Sequence, residues 1–509
     1  MGWPTKPFPF ILFFAFIPIL YLQDHFQNSS SKRKGGKFFL YSYLALLIWN
    51  VLTTYWVYNS TAIGGSFAMI ANAFLMNIPL VFFYYTKKYT SEIPGLISFI
   101  IYWVAFEYLH LNWDLSWPWL TLGNSFSSTP SFVQWYEYTG VFGGSLWILI
   151  ANVVFYYISK LEGRNALKMF SPLLIFLPGI ISMFTYQNYK DQGEKIKVIV
   201  VQPNIDPYEE KFEGGTKFIP YHEQFNRLLN LSEKKITIDT KYIVWPETAL
   251  PFGYNEDALE KEAIIDTLKK FVGRHPQACL VTGLDCYKLY FKKETRTAKP
   301  IGDQVHFYDS FNAAMQINEN GKVEIYHKSK LVPGVEFVPE VLAPFVIDMG
   351  GGSGILGSQP ERTVFFNKDK KGVAPIICYE SIYGDFVREY VKNGANMIFI
   401  ITNDGWWGNT QGYRQHLFYG RLRAIEARKS IARAANTGIS GFINQRGDIL
   451  EHSEYWKQDV LIAEIKENSI MTFYTLHGDY LGKSALYLSG LCILGTIVLL
   501  IRKRKINLS

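Results

Sequence analysis

"GVAPIICYES" (Gly372–Ser381) runs an apolar stretch into a cysteine that is followed at once by Tyr-Glu. Cys378 therefore reads as a residue at the end of a buried strand. Free cysteine is among the most buried residue types, so the stretch alone leaves both a packed thiol and a nucleophile open. Downstream, "ANMIFIITNDGWWG" (Ala395–Gly408) repeats the arrangement, with Asn403 and Asp404 at the strand end. Upstream, "IKVIVVQPNI" (Ile196–Ile205), "TKYIVWPETALP" (Thr240–Pro251) and "KVEIYHKSKLVPGVEFVP" (Lys322–Pro339) read as further strands. Glu247 lies just past the second of these, and Lys328 and Glu336 lie in the loop after the third. Helical periodicity is expected over Tyr413–Ala435, with Arg421, Arg423, Arg428 and Arg433 between apolar positions. Strands alternating with helices predict a layered α/β domain whose reactive edge is its strand-end loops.

Three of those loops offer a carboxylate (Glu247), an ammonium (Lys328) and a thiol (Cys378). A thiol needs a base to reach the thiolate, and a nearby cation stabilises that form. A carbonyl under attack also needs a positive group or N–H donor aimed at its developing oxyanion. These residue types match those three tasks.

Outside this region the composition changes. The chain has 509 residues, 49% hydrophobic and only 19% charged, and no Asp, Glu, Lys or Arg falls between Phe38 and Thr86. A helix needs about 20 mostly apolar residues to cross a bilayer. Segments near 7–22, 38–58, 66–86, 94–111, 136–159, 169–187 and 484–501 satisfy this. The first is short and contains proline, but no small-residue cleavage site follows it, so it reads as a span. The expected organisation is six spans over 1–188, an α/β domain over 189–480, and a last span with a basic tail over 481–509. "SKRKGGK" (Ser31–Lys37), Lys87–Lys88, Lys160–Lys168 and Arg502–Lys505 fall in alternate loops, which the positive-inside rule assigns to the cytoplasm. The loops Asn59–Gly65 and Asn112–Gln134 carry no Lys or Arg. The α/β domain is thus expected outside. The net charge of +7 calls for no nucleic-acid partner, because the cations cluster beside apolar segments. This parity puts the N-terminus outside, from which either an earlier span missing from this start or a natural protein lacking that span is expected. The four cysteines show no zinc-ligand spacing, and a Cys279–Cys286 disulfide stays open.

"WPETALP", "YHKSKLVPGVEFVP", "ICYES" and "TNDGWWG" together resemble the nitrilase superfamily, whose fold is an α-β-β-α sandwich with a Glu-Lys-Cys triad. With spans on both sides and "VQPNI" opening the domain, the resemblance narrows to the apolipoprotein N-acyltransferase family. It implies that Cys378 is the nucleophile that forms a thioester, Glu247 the general base, and Lys328 the oxyanion stabiliser beside the Tyr379 N–H. It further implies supporting roles for Glu336, Tyr379 and Glu380, and sets Phe212 where the family usually has a tryptophan near the acyl site. The implied reaction takes an acyl chain from a phospholipid, with phosphatidylethanolamine expected. The chain passes to the α-amino group of a diacylglyceryl-cysteine at the N-terminus of an apolipoprotein, in the bacterial cytoplasmic (inner) membrane. No metal or cofactor is implied. The family commonly reads "LVPFGE" and "NDAWFG" where this chain has "LVPGVE" and "NDGWWG", and it usually has eight spans rather than seven. A membrane-tethered amidase is the nearest rival reading, and a non-catalytic lipoprotein-binding protein a second.

Several features keep two readings. Glu107, in an apolar span, is either functional or simply solvated or paired near the outer boundary. Trp117 and Trp119 are either interfacial anchors or part of a lipid route. The Gly-rich apolar segment Val341–Pro360 is either a membrane-resting lid or a disordered insertion. Asn403 and Asp404 are expected to shape a turn, and His416 to serve as a structural hydrogen-bonder.

Overall fold

The computed structural model describes residues 2–162, 166–302, 306–339 and 355–506. The chain divides into two compact units, one of residues 1–189 with 477–509 and one of 190–476. Most of the predicted Val341–Pro360 segment lies outside the described residues.

In the first unit, seven helices among the described residues are long and apolar enough to cross a membrane. They are Pro9–Asn28, Lys34–Asn59, Ala62–Tyr89, Glu92–Leu111, Val141–Ser159, Lys168–Asn188 and Tyr480–Lys503, one for each expected segment. The first is interrupted: a 3₁₀ turn over Pro9–Phe14 gives way to an α-helix over Ile17–Asn28. Backbone groups freed by such a break need partners in an apolar medium. Asn152 supplies them, donating to the Leu12 carbonyl at 2.7 Å and accepting from the Phe16 N–H at 2.8 Å. At the end of the unit that bears the basic loops, Asp24 pairs with Lys87 (2.6 Å) and Lys160 (2.7 Å), and Lys160 also pairs with Glu92 (2.6 Å). Glu107 is buried and not solvated. One of its oxygens accepts from Trp103 Nε1 at 3.0 Å and from the Leu122 N–H at 2.8 Å.

Among the described residues the second unit is built on fourteen strands: β1 (Lys195–Gln202), β2 (Thr240–Val244), β3 (Leu250–Asn255), β4 (Cys279–Tyr290), β5 (Lys299–Ile301), β6 (His306–Ile317), β7 (Val323–His327), β8 (Phe365–Phe366), β9 (Gly372–Ile377), β10 (Ala395–Thr402), β11 (Ile431–Ala435), β12 (Gly441–Ile443), β13 (Ile449–His452) and β14 (Asp459–Lys466). One sheet has the order β14-β1-β2-β4-β6-β5, with β3 on β4 and β7 on β6. The other has the order β13-β12-β11-β10-β9-β8. Alternation along β1 sends Ile199 and Val201 into a core with Phe225, Leu228, Ile265, Leu268 and Phe271 of the helices Tyr221–Glu233 and Ala263–Gly273. The opposite face meets the second sheet, where Tyr242 of β2 packs edge-on against Phe399 of β10 with ring centroids 5.1 Å apart. Helices Gly384–Lys392 and Gly412–Ala427 cover the second sheet, which completes the α-β-β-α sandwich.

Two expectations are corrected. The helix expected over Tyr413–Ala435 stops at Ala427, because Arg428 turns left-handed (φ 50°) and Ile431–Ala435 is a fully buried strand. Cys279 and Cys286 are free thiols on one strand. Seven residues of strand separate them by about 24 Å and send them to opposite faces, so no disulfide can join them.

Candidate active site

The inner strands of each sheet run parallel: β1, β2 and β4 in one, β9, β10 and β11 in the other. Their carboxyl ends therefore lie at one edge, where open α/β sheets bind ligands. Cys378 follows β9 directly and takes a left-handed backbone (φ 48°), rarely populated by a non-glycine residue. Glu380 holds this turn from behind. Its carboxylate accepts from the Ile377 N–H (2.9 Å), the Ser329 N–H (2.7 Å) and the Tyr326 hydroxyl (2.6 Å), tying the cysteine turn to the loop that carries Lys328. Tyr379 is buried with its ring edge-on to Tyr383.

Lys328 is 1% exposed, and its ammonium bonds Glu336 Oε1 at 2.7 Å and Glu247 Oε1 at 3.3 Å. Burial opposes the charge, but the two carboxylates prevail and hold the ammonium well above the usual lysine range. The "PGVE" loop carries Glu336 to the Lys328 ammonium. Gly334 takes φ 79°, open to a residue without Cβ, and its N–H bonds the Phe337 carbonyl at 2.7 Å. The turn so closed lets Glu336 Oε2 accept from the Val332 N–H at 2.8 Å. Burial, with Glu247 nearby, pushes the Cys378 thiol well up, against the opposing influence of Lys328.

Sequence reasoning missed three neighbours. Asn312, in the middle of β6, donates through Nδ2 to Glu247 Oε1 (2.8 Å) and Glu336 Oε1 (3.2 Å). A lone amide in the apolar run "FNAAM" was its only signal. Lys211, adjacent to Phe212, is buried, and its ammonium bonds the Glu247 carbonyl (3.2 Å) and Thr248 Oγ1 (2.5 Å). Asp285 stands on β4 opposite Asn312. Phe212 is half-buried, its ring 5.7 Å from the Lys211 ammonium. Trp117 and Trp119 belong to the helical unit. There Trp119 is buried against Trp56 (centroids 4.6 Å), not spread at an interface, and Trp117 is half-buried.

Asp404 and His416 lie beneath the cysteine. Asp404 bonds Thr402 Oγ1, His416 Nδ1 and the Arg433 guanidinium, and His416 Nε2 lies 3.0 Å from the Cys378 carbonyl oxygen. Burial opposes the Asp404 charge, but Arg433 and His416 hold its carboxyl below the usual range. A cysteine, aspartate and histidine this close could in principle hold a metal. The Arg433 ion pair and the histidine bonds already occupy the aspartate and imidazole.

Residues 1–154 match the family signature described as Apolipoprotein N-acyltransferase N-terminal domain, and residues 200–473 match Carbon-nitrogen hydrolase. The apolipoprotein N-acyltransferase of Chlorobaculum tepidum is 31% identical, over 99% of this chain and 94% of its own. The chain belongs to the apolipoprotein N-acyltransferase family. The Geobacter metallireducens member is 28% identical over 94% of this chain and 89% of its own. A nitrilase-superfamily protein of Saccharomyces cerevisiae superposes with a TM-score of 0.37 at 16% identity, covering 55% of this chain and 92% of that one. Like the family's other members, the chain is a multi-pass membrane protein with a carbon-nitrogen hydrolase domain.

Proposed function

We propose that this chain is an acyltransferase of lipoprotein maturation, working by two half-reactions through Cys378. The observation that carries the reading is the cluster of buried charge at the cysteine: Lys328 fixed between Glu247 and Glu336, facing a thiol on a strained strand-end turn. In the first half-reaction Glu247 takes the thiol proton as sulfur attacks the ester carbonyl of a phospholipid. Lys328 and the Tyr379 N–H stabilise the oxyanion. The C–O bond then breaks, Glu247 returns the proton to the leaving oxygen, and a lysophospholipid departs from an acyl thioester. In the second, the α-amine of an apolipoprotein's diacylglyceryl-cysteine attacks the thioester and loses a proton to Glu247. The C–S bond breaks and Glu247 returns that proton to the departing sulfur, leaving an amide and the free thiol.

Phosphatidylethanolamine is the proposed donor. The proposed setting is the bacterial cytoplasmic membrane, with the catalytic domain, residues 189–480, on the outer side. Alternating basic loops support that orientation, and Trp117, Trp119 and Phe212 are proposed for the lipid route.

The test is incubation of purified protein with acyl-labelled phospholipid. Label held on the protein by a hydroxylamine-sensitive bond, absent from Cys378→Ala and chased onto a diacylated lipopeptide, is the expected result. Label released only as free fatty acid would replace the transferase with a hydrolase.

A further inference from the structure

Asp285 and Asn312 are directly opposed in the β4–β6 ladder, so their side chains share a face. Asn312 touches both Glu247 and Glu336, and this places Asp285 on the face that carries the catalytic cluster. Glu247, Glu336 and Glu380 all accept hydrogen bonds. Asp285 has neither a hydrogen bond nor an ion pair among the described residues, and it is only partly covered. The nearest ammonium groups are engaged elsewhere: Lys328 on Glu247 and Glu336, Lys211 on the Glu247 carbonyl and Thr248. When Asp285 is ionised, three carboxylates (Glu247, Glu336, Asp285) thus meet two ammonium groups (Lys211, Lys328), leaving the site one positive charge short.

We propose that Asp285 is the docking carboxylate for a primary ammonium group of the substrates. This rests on the acyltransferase reading, under which two such groups reach the site: the α-ammonium of the acceptor cysteine and the ammonium of an ethanolamine headgroup. A monocation beside Asp285 neutralises the cluster and gives the unpartnered carboxylate its missing bonds. The charged groups around Asp285 are Lys211, Glu247, Glu336 and Lys328, with the phenols of Tyr221 and Tyr254 and the Cys286 thiol also near. Burial pushes its carboxyl up to about 7; Lys211 opposes this, and Glu247 and Glu336 add to it. Ammonium docking needs the ionised form, so it weakens as pH falls through that value.

The experiment compares full-length Asp285→Asn with the parent protein in both half-reactions. Thioester formation is measured from phosphatidylethanolamine and from phosphatidylglycerol, which has no ammonium. Discharge is measured to a diacylated lipopeptide and to hydroxylamine, a nucleophile uncharged at neutral pH. A KM for lipopeptide raised about 10-fold or more relative to hydroxylamine, with loss of its rise below pH 7, assigns the acceptor's ammonium to Asp285. A loss of about 10-fold or more with phosphatidylethanolamine relative to phosphatidylglycerol assigns the donor's. Asp285→Glu, which keeps the charge, should retain the parental preference. Equal losses in all four reactions, or no change in any, would overturn the proposal. A parent protein that forms no thioester with either lipid would instead defeat the acyltransferase reading.

Discussion

Cys378 is both the nucleophile of the proposed reaction and a group whose buried surroundings disfavour the thiolate. Its proton therefore leaves only as a carbonyl is engaged, which suits a base such as Glu247 better than a standing thiolate would. The direction of the shift sets an expectation. A thiol raised above its ordinary range holds less thiolate at neutral pH than a free cysteine. Iodoacetamide should thus label Cys378 at pH 7.5 at least about 10-fold more slowly than a free thiol, with the rate still rising above pH 9. Peptide-resolved mass spectrometry separates this site from Cys279, Cys286 and Cys492. Fast, pH-independent labelling near neutrality would show a resting thiolate. At this scale Glu247, Lys328 and Cys378 were legible as a set, because each sits at or just past a strand end and carries chemistry its neighbours lack, whereas Glu336, in the loop beyond β7, was singled out only by the resemblance. Asn312, Asp285 and Lys211 were not. Their place in the site depends on the β4–β6 register and on the loop after β1 folding back, which no local pattern records.

The elements do their work through close approach. Thr248 adopts a left-handed backbone (φ 47°), and the Glu247 turn it closes lies directly on β4. A Cβ added at Gly283 would fall 2.5 Å from Thr248 N and 2.7 Å from Glu247 Cα, both backbone atoms that can yield only by moving the proposed base. Gly283→Ala should therefore lower kcat about 100-fold, since small displacements of a catalytic group are costly, while destabilising the fold by about 1–3 kcal/mol. Steady-state transfer and thermal unfolding measure the two. An unimpaired rate would move the base away from Glu247. In the α/β unit the sequence pattern marked five strands, β1, β2, β7, β9 and β10, and the helix that begins near Tyr413. Arg428–Ala435, expected as helix, shows why others were not. Buried on both faces, "IARAA" has no alternation to betray a strand, and its arginine finds its ion-pair partner in Asp404 on another strand's end.

At the scale of the whole molecule, seven apolar segments and a charged region before the last of them follow from composition, because charge is excluded from the spans and concentrated between them; the α-β-β-α sandwich was legible only through the resemblance to the nitrilase superfamily. The break in the first helix was hinted at only by its prolines, and its repair by Asn152 not at all. The alternation of basic loops predicts which side each loop faces. In intact spheroplasts a membrane-impermeant maleimide should label Ser60→Cys, and should reach Ser31→Cys only after lysis; the reverse pattern would invert the protein. In the proposed orientation the catalytic face meets oxidants that the cytoplasm would scavenge. Peroxide attacks the thiolate, and the first step of that damage is the sulfenic acid. A nucleophile that stays protonated until a lipid ester arrives thus carries its own protection between turnovers, without a partner cysteine to rescue it.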